Sequence, residues 1–452
     1  MASNRGPVSF SYGADGGVQA KRGAGGLVSS LGPLVRDSGA LWLAAAMTDA
    51  DREIAASGPV EAEGFRFRSL AIDTDTYRMA YDVISNGTLW FLHHGLFDLA
   101  RRPRIDRRWR QAWDAYRAYN HLFARALIDE APEGATVLVQ DYHLALVGTW
   151  LAQQRKDLRA VHFTHIPFCD PSALRILPTD VAEELLVGMA SHASCGFHAS
   201  RWATAFEECC GAVLGWKPST FVASLAPDHD EVDAVSRSEE CANEARELEA
   251  IVGDRALILR VDRIELSKNL LRGFLAFDDL LRTRPEWRGK VVFAALVYPS
   301  REGLPEYLAY RQEVEMLAEQ LNATWRTPGW EPVLLDTSDN FARSVAALKR
   351  YDVLLVNPVR DGLNLVAKEG PLLNEHDGVL ALSREAGVWE ELREVALEVN
   401  PFDVAGTADV LATALAMSAS ERAEHARGLR ELASARTPRA WLDEQLTAAE
   451  TG

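Results

Sequence analysis

The chain has 452 residues, too many for one compact core, so two domains are expected. Hydrophobic residues make up 48% and charged residues 25%, an ordinary globular balance, and a net charge of −17 excludes the broad basic face that a nucleic-acid binder needs. No apolar run is long enough to span a bilayer, and the opening Met1-Ala2-Ser3-Asn4-Arg5-Gly6-Pro7 lacks the apolar stretch of a signal peptide. A cytoplasmic protein without membrane partners is therefore expected. Homo-oligomer formation is left open. Five cysteines, Cys169, Cys195, Cys209, Cys210 and Cys241, form neither metal-ligand spacing nor an even disulfide framework and read as reduced thiols.

In chain order, the run Ala24–Pro33 (AGGLVSSLGP) follows a predicted β-hairpin and precedes a helix. There Gly25 and Gly26 can bring their backbone close to a ligand, although an ordinary turn also explains a glycine pair. Between Arg101 and Arg110 the sequence RRPRIDRRWR reads as a solvated helix face or a subunit contact. Apolar runs then alternate with helical patterns, which predicts an α/β protein with parallel sheets. The predicted strands are Thr136–Gln140, Arg159–His165, Cys195–Ala199 and Ser219–Ser224, followed by Ala256–Arg263, Val291–Tyr298, Pro332–Asp336, Asp352–Pro358, Gly378–Ser383 and Ala396–Asn400. Leu271–Arg284 and Glu306–Asn322 carry helical periodicity. The acidic, apolar-poor segment from Ala226 to Glu249 reads as a linker and a first helix. This sets an N-terminal domain at 1–226, a second at 227–435, and a C-terminal helix at 436–452 that can cross back to the first.

Several predicted strands run straight into polar segments, at Asp141-Tyr142-His143, at His165-Ile166-Pro167 and at Arg360-Asp361-Gly362. Ligands of open α/β sheets sit beyond such carboxyl ends. Arg263 at a strand end and Lys268 at the mouth of the next helix can place two cations on one diphosphate; surface charges at a strand end are the plainer reading. In the run Asn357–Gly378 a strand ends in an Arg-Asp-Gly turn, and the following helix brings Lys368 and Glu369 inward. That turn offers backbone N–H groups to a sugar or phosphate, and Glu369 can accept from ribose hydroxyls. His165 by itself reads as a buried structural histidine.

Taken together, the SNR start, the AGGL loop, DYHL, HIPF, Arg-x4-Lys, the SRE segment at Ser300–Glu302 and RDGLNLVAKE resemble the trehalose-6-phosphate synthases from Ser3 to about Trp441. The resemblance implies two Rossmann-like domains facing a central cleft, the GT-B type of glycosyltransferase. It also implies retaining transfer from a nucleotide-glucose to glucose 6-phosphate, with no metal and no cofactor. By the same resemblance, Gly25 and Gly26 close over the donor phosphates and Arg263 and Lys268 neutralise the diphosphate. Asp361 with Gly362, Leu363, Asn364 and Leu365 holds the donor sugar, and Glu369 holds the ribose. His165 meets the sugar near its 6-hydroxyl, Asp141 contacts the acceptor at the reaction centre, and Arg5, Tyr81, Trp90 and Arg301 enclose the acceptor.

Departures from the family pattern bear on substrate choice. Leu43-Ala44-Ala45-Ala46 replaces a second Trp after Trp42, which is expected to open the acceptor side; Asn269 stands where a Gly is usual, and Cys169 where a Pro is usual. Val345, Ala346 and Ala347 follow Phe341 where a bulky side chain is usual, which is expected to leave room for a purine and to favour GDP-glucose over UDP-glucose. The pattern is closest to an actinobacterial branch that includes validoxylamine 7′-phosphate synthase. A pseudo-glycosyltransferase joining a GDP-cyclitol to an aminocyclitol phosphate is therefore one alternative, and a catalytically silent sugar-phosphate sensor is another.

Overall fold

The apolar runs form two parallel sheet systems in a computed structural model, which describes residues 1–13, 17–22, 26–36 and 38–451. The strands are β1 (Val8–Tyr12), β2 (Val18–Arg22), β3 (Leu41–Ala45), β4 (Val60–Ala62), β5 (Phe65–Leu70), β6 (Thr136–Gln140), β7 (Arg159–Thr164), β8 (Ser194–Phe197), β9 (Thr220–Val222), β10 (Ala256–Ile264), β11 (Val291–Pro299), β12 (Val333–Asp336), β13 (Val353–Val356), β14 (Val379–Ser383) and β15 (Leu397–Val399). The chain divides into two units: Met1–Leu225 together with Pro438–Gly452, and Ala226–Thr437. Among the described residues no helix is long and apolar enough to cross a membrane.

In the first unit β6-β7-β8-β9 run parallel, and β3 pairs with β5 in parallel. Ala2 joins these two sets through parallel bridges to Leu43 and to Val139. Its N–H donates to Leu138 O and its carbonyl accepts from Gln140 N, both at 2.9 Å. The opening residues thus stand as a minimal first strand, and the order β5, β3, Ala2, β6, β7, β8, β9 is that of a doubly wound sheet. The β1–β2 hairpin is antiparallel and leads to helix Gly26–Val35. Helix Pro438–Thr451 belongs to this unit and buries Trp441, Leu442, Gln445, Ala448 and Ala449, the one-sided stripe of an amphipathic helix. Trp441 meets Phe163 of β7 edge-on, with ring centroids 5.0 Å apart.

The second unit has six parallel strands in the order β12-β11-β10-β13-β14-β15. Strands buried on both faces need near-continuous apolar runs, which is why Leu257, Ile258 and Leu259 are all buried in β10. Helix Leu270–Thr283 turns Leu270, Phe274, Phe277, Leu280 and Leu281 into that core, with Phe274 and Phe277 each 5.3 Å from Phe293. The acidic segment after Ala226 is not an extended linker. Asp228 and Ser238 each cap a helix, at His229–Ser236 and Glu239–Val252, because their side chains accept the first free N–H groups of those turns. In the Arg-rich segment, Asp106 caps helix Arg107–Glu130, and Arg110 makes a two-point contact with Asp180, at 2.6 and 3.1 Å.

Candidate active site

The order of the second sheet reverses between β10 and β13, so a crevice opens beyond their carboxyl ends. β10 delivers Arg263 there, and one 3-10 turn, Leu266–Lys268, delivers Lys268. The chain after β13 delivers Asp361. Lys268 Nζ donates to Asp361 Oδ2 at 2.6 Å and lies 3.7 Å from Asp262 Oδ1. Beneath them the fully buried Arg260 donates to Asp262 Oδ2 at 3.1 Å and to the carbonyl of Lys268, which pins the turn. Burial raises the pKa of Asp262, while Lys268 and Arg260 oppose the rise. Arg263 Nη2 lies 3.1 Å from Glu265 Oε2. Glu265 is fully buried, also pairs with Arg301 and accepts from Tyr307 OH at 3.1 Å. One carboxylate therefore orients two of the expected site cations.

The backbone is special at the same places. Among the described residues six non-glycine residues have positive φ, and four of them, Asp141, Asn269, Arg301 and Asn364, lie in the motifs read from the sequence. Such conformations persist only where surrounding contacts hold them, and they concentrate at functional sites. At φ 62° Asn269 occupies the left-handed region, which Asn tolerates nearly as well as the usual Gly, and its Nδ2 donates to Asn357 O and Pro401 O. Asn364 Nδ2 donates to Asp361 Oδ2 at 3.1 Å. The 361–364 loop rests on the 385–388 segment through Asp361 N to Glu385 O, Gly387 N to Asp361 O and Val388 N to Leu363 O.

Gly362 and Leu363 are buried, and Leu365 caps helix Val366–Leu373. Lys368 is turned inward, as expected. It is buried and donates to Glu391 Oε2 at 2.9 Å. Glu369 is half-buried, and burial, with Glu231 nearby, pushes its pKa up to about 7.

In the first unit the switch point lies between the opening residues and β6, and Arg5 and Asp141 follow these two in the chain. Arg5 is exposed. Asp141 is held at φ 74° by its N–H to Phe163 O at 2.7 Å, and its Oδ1 accepts from His165 N at 3.2 Å. Tyr81 stacks between Tyr77 and His143, and Trp90 is buried against His94 and Tyr142. Tyr81 lies on the π-helix Met79–Leu89 and Trp90 directly follows it, a geometry that recurs at functional sites. Gly26 begins its helix; Gly25 lies outside the described residues.

His165 follows β7. Its Nε2 lies 2.9 Å from Gln140 Oε1 and its Nδ1 lies 3.1 Å from His198 Nε2. Burial lowers its pKa to about 3, so the ring is neutral at physiological pH.

Two inferences about space are corrected. Val345, Ala346 and Ala347 are buried in the interior side of helix Phe341–Arg350, so their size opens no surface pocket. An open groove of about 660 Å³ lies at the N-terminal end of that helix, lined by Ser238, Glu240, Asp339, Asn340 and Phe341 among others. Ala44, Ala45 and Ala46 are also buried, so the missing Trp leaves no opening there. Sequence reasoning missed Asp262, Glu265, Gln140, His198 and Gln445. Glu265 had one signal, since strand alternation puts it on the same side as Arg263; Gln445, a polar residue in an apolar helix stripe, had almost none. All five cysteines are buried free thiols, and among the described residues no group of three or more His, Cys, Asp and Glu could hold a metal.

Solved structures share this arrangement of elements. One from E. coli bound with UDP-2-fluoro glucose superposes with a TM-score of 0.87 at 26% identity, covering 100% of this chain and 98% of that one. A Burkholderia xenovorans α,α-trehalose-phosphate synthase (UDP-forming) in complex with glucose-6-phosphate gives 0.84 at 27% identity, covering 94% and 97%. With two doubly wound sheets and a charged constellation at the second switch point, the protein is a glycosyltransferase of the GT-B type. The Mycolicibacterium smegmatis trehalose-6-phosphate synthase is 32% identical over 482 residues, covering 100% of this chain and 93% of the relative. The model of Glycosyltransferase family 20 matches residues 1–451, and the chain belongs to that family.

Proposed function

We propose that this chain is a trehalose-6-phosphate synthase that moves glucose from a nucleotide-glucose, GDP-glucose in preference to UDP-glucose, onto glucose 6-phosphate with retention of the α configuration. The observation that carries the reading is the meeting of Lys268 with Asp361, 93 residues apart in sequence, beside Arg263 at the switch point. Departure of a nucleoside diphosphate builds negative charge on the leaving oxygen, and preorganised cations stabilise that charge most in the transition state. Arg263 and Lys268 supply it, so the reaction runs without a metal. Asp361 exchanges Lys268 for a sugar hydroxyl when the diphosphate takes the lysine. The acceptor hydroxyl attacks on the leaving-group face and its proton passes to the departing phosphate. His165, neutral, contacts the sugar without transferring a proton, and Asp141 orients the acceptor. A cytoplasmic location fits the five free thiols.

The donor base is assigned to the groove at Phe341. Tyr298 stands at the end of β11, and burial raises its pKa, with Arg263 and Lys268 opposing the rise and Asp339 of the groove adding to it. Helix His229–Ser236 lines the groove with Ala234 and Val235, and its Glu231 raises the pKa of the ribose carboxylate Glu369. Glu240 and Asp339 are exposed on this groove, and no Lys or Arg among the described residues lines it. Guanine offers N1–H and the 2-amino group to a carboxylate, whereas uracil offers one N–H between two carbonyls.

The test is steady-state turnover with GDP-glucose and UDP-glucose at matched concentrations, with glucose 6-phosphate as acceptor and mass spectrometry of the product. One non-reducing disaccharide phosphate, formed faster from GDP-glucose and insensitive to chelator, is expected. A clear preference for UDP-glucose defeats the donor assignment; coupling of an aminocyclitol phosphate with no sugar–sugar product defeats the synthase reading.

A further inference from the structure

Four side chains of the first unit form a continuous hydrogen-bonded chain behind His165. Leu225 N lies 3.4 Å from His198 Nδ1, His198 Nε2 lies 3.1 Å from His165 Nδ1, His165 Nε2 lies 2.9 Å from Gln140 Oε1, and Gln140 Nε2 donates to Gln445 Oε1 at 2.9 Å. Gln140 and Gln445 are fully buried and His198 nearly so. His198 Nδ1 faces two backbone groups, the Leu225 N–H at 3.4 Å, which can only donate, and Ala223 O at 3.3 Å, which can only accept; with the Leu225 N–H as its partner, its proton sits on Nε2. His165 Nδ1 then accepts and its proton sits on Nε2, facing the Gln140 carbonyl oxygen. At the far end the Gln445 oxygen accepts from the Gln140 amide at 2.9 Å, while the Gln445 Nε2 is buried with no hydrogen-bond partner among the described residues. The opposite direction exists on paper, with every donor reversed and His198 Nδ1 donating to Ala223 O at 3.3 Å. It would turn His198 Nδ1 into a donor facing the Leu225 N–H.

We propose that Gln445, on the C-terminal helix, is a positioning residue for His165: it orients the Gln140 amide and thereby holds the His165 ring in the Nε2–H tautomer. The inference rests on the reading that His165 faces the donor sugar. Its physical content is that a neutral imidazole chooses its tautomer by the partner at each nitrogen, and that each amide in a buried chain of hydrogen bonds presents its neighbour with either an oxygen or an N–H. Trp441, one turn earlier on the same helix, packs 5.7 Å from the His165 ring and 5.0 Å from Phe163, so the helix sets both the ring's packing and its proton.

The experiment is long-range ¹H–¹⁵N NMR of the full chain labelled at histidine, with a His165→Gln sample for assignment, alongside kinetics of Gln445→Met and Gln445→Glu. Met matches the shape of Gln without the accepting oxygen, and Glu keeps it. Wild type is expected to show His165 protonated on Nε2 near neutral pH. Gln445→Met is expected to lose that single tautomer and roughly tenfold in kcat while KM for the nucleotide-glucose changes less than about twofold; Gln445→Glu keeps the tautomer and most of the turnover. An Nδ1–H tautomer in wild type, an unchanged tautomer in Gln445→Met, or equal damage from both substitutions overturns the proposal. Should Gln445→Met not fold, the wild-type spectrum and Gln445→Glu still decide it. If the Nε2–H tautomer is found in a protein that transfers no sugar, the network stands and the functional reading falls.

Discussion

Lys268 Nζ donates to Asp361 Oδ2 at 2.6 Å, so the cation and the carboxylate proposed to hold the diphosphate and the donor sugar neutralise each other in this structure. The pair lies at the turn after β10 and the turn after β13, and only their adjacency in the sheet brings the two together. Arg263→Ala or Lys268→Ala is expected to lower turnover by about 10²-fold or more, the scale of removing one preorganised partner of a developing oxyanion. Single-turnover kinetics separate this from donor binding. Near-wild-type turnover by Arg263→Ala would show that the leaving group is stabilised elsewhere.

In its proposed role on the ribose, Glu369 is expected to make donor binding depend on pH. Burial lifts its pKa to about 7, and ribose hydroxyls bind best to the ionised carboxylate. A ligand that prefers the deprotonated form binds tightest above that pKa, so affinity for the nucleotide is expected to weaken as pH falls through about 7, approaching about tenfold per unit below it. Calorimetric titration with GDP across pH 5.5–8.5 reads this directly, an interval set by roughly one and a half units about that pKa. Glu369→Gln should flatten the profile; an unchanged slope in that variant assigns the titration to another group.

Arg301 is already oriented by the buried Glu265. Loss of one charge-assisted contact to the acceptor phosphate costs about 1.5–3 kcal/mol, or roughly 10- to 100-fold in affinity. Arg301→Ala is expected to raise KM for glucose 6-phosphate on that scale and to leave KM for the donor near its original value. Free glucose should be a poor acceptor for wild type. Equal use of glucose and glucose 6-phosphate contradicts the assignment of Arg301 and Arg5.

Gly387 lies where an added Cβ would run into the carbonyl of Gly362. Since Gly387 N also donates to Asp361 O, the collision falls on the loop that carries Asp361. Gly387→Ala is expected to weaken nucleotide-sugar binding roughly 5- to 150-fold, the equivalent of the roughly 1–3 kcal/mol of forced overpacking, while circular dichroism stays near wild type. Unchanged donor affinity would mean that the loop shifts without consequence.

Acid should loosen the protein through buried histidines. Burial lowers His165 to about 3 and His192 to about 4, and takes His162 well below its ordinary value. The unfolded chain binds these protons near 6.5, before the folded one does, so their stabilising contribution is complete above about pH 6.5 and is lost as pH falls toward 4 and 3. Each such proton adds a slope of about 1.4 kcal/mol per pH unit in that window. Urea unfolding at pH 7, 6 and 5 should show stability falling stepwise. A His192→Asn variant that keeps the full slope would remove this cause.

The strands β6 to β15 were legible in the sequence because strands buried on both faces must be apolar runs, whereas β3, β4 and β5 were not predicted; β10, β11 and helix Leu270–Thr283 fall within a residue or so of their predicted bounds. The turn after β10 was also legible, since Arg263, Lys268 and the tolerant Asn269 are local. Tertiary structure alone decided which of these turns face each other. Lys268 meets Asp361 across 93 residues and Gln140 meets Gln445 across 305, through strand order and the docking of a distant helix. It also decided which small residues open space: Ala44–Ala46 and Val345–Ala347 looked like gaps in the sequence and are packed interior, because a side chain's size says nothing about which way its element turns it.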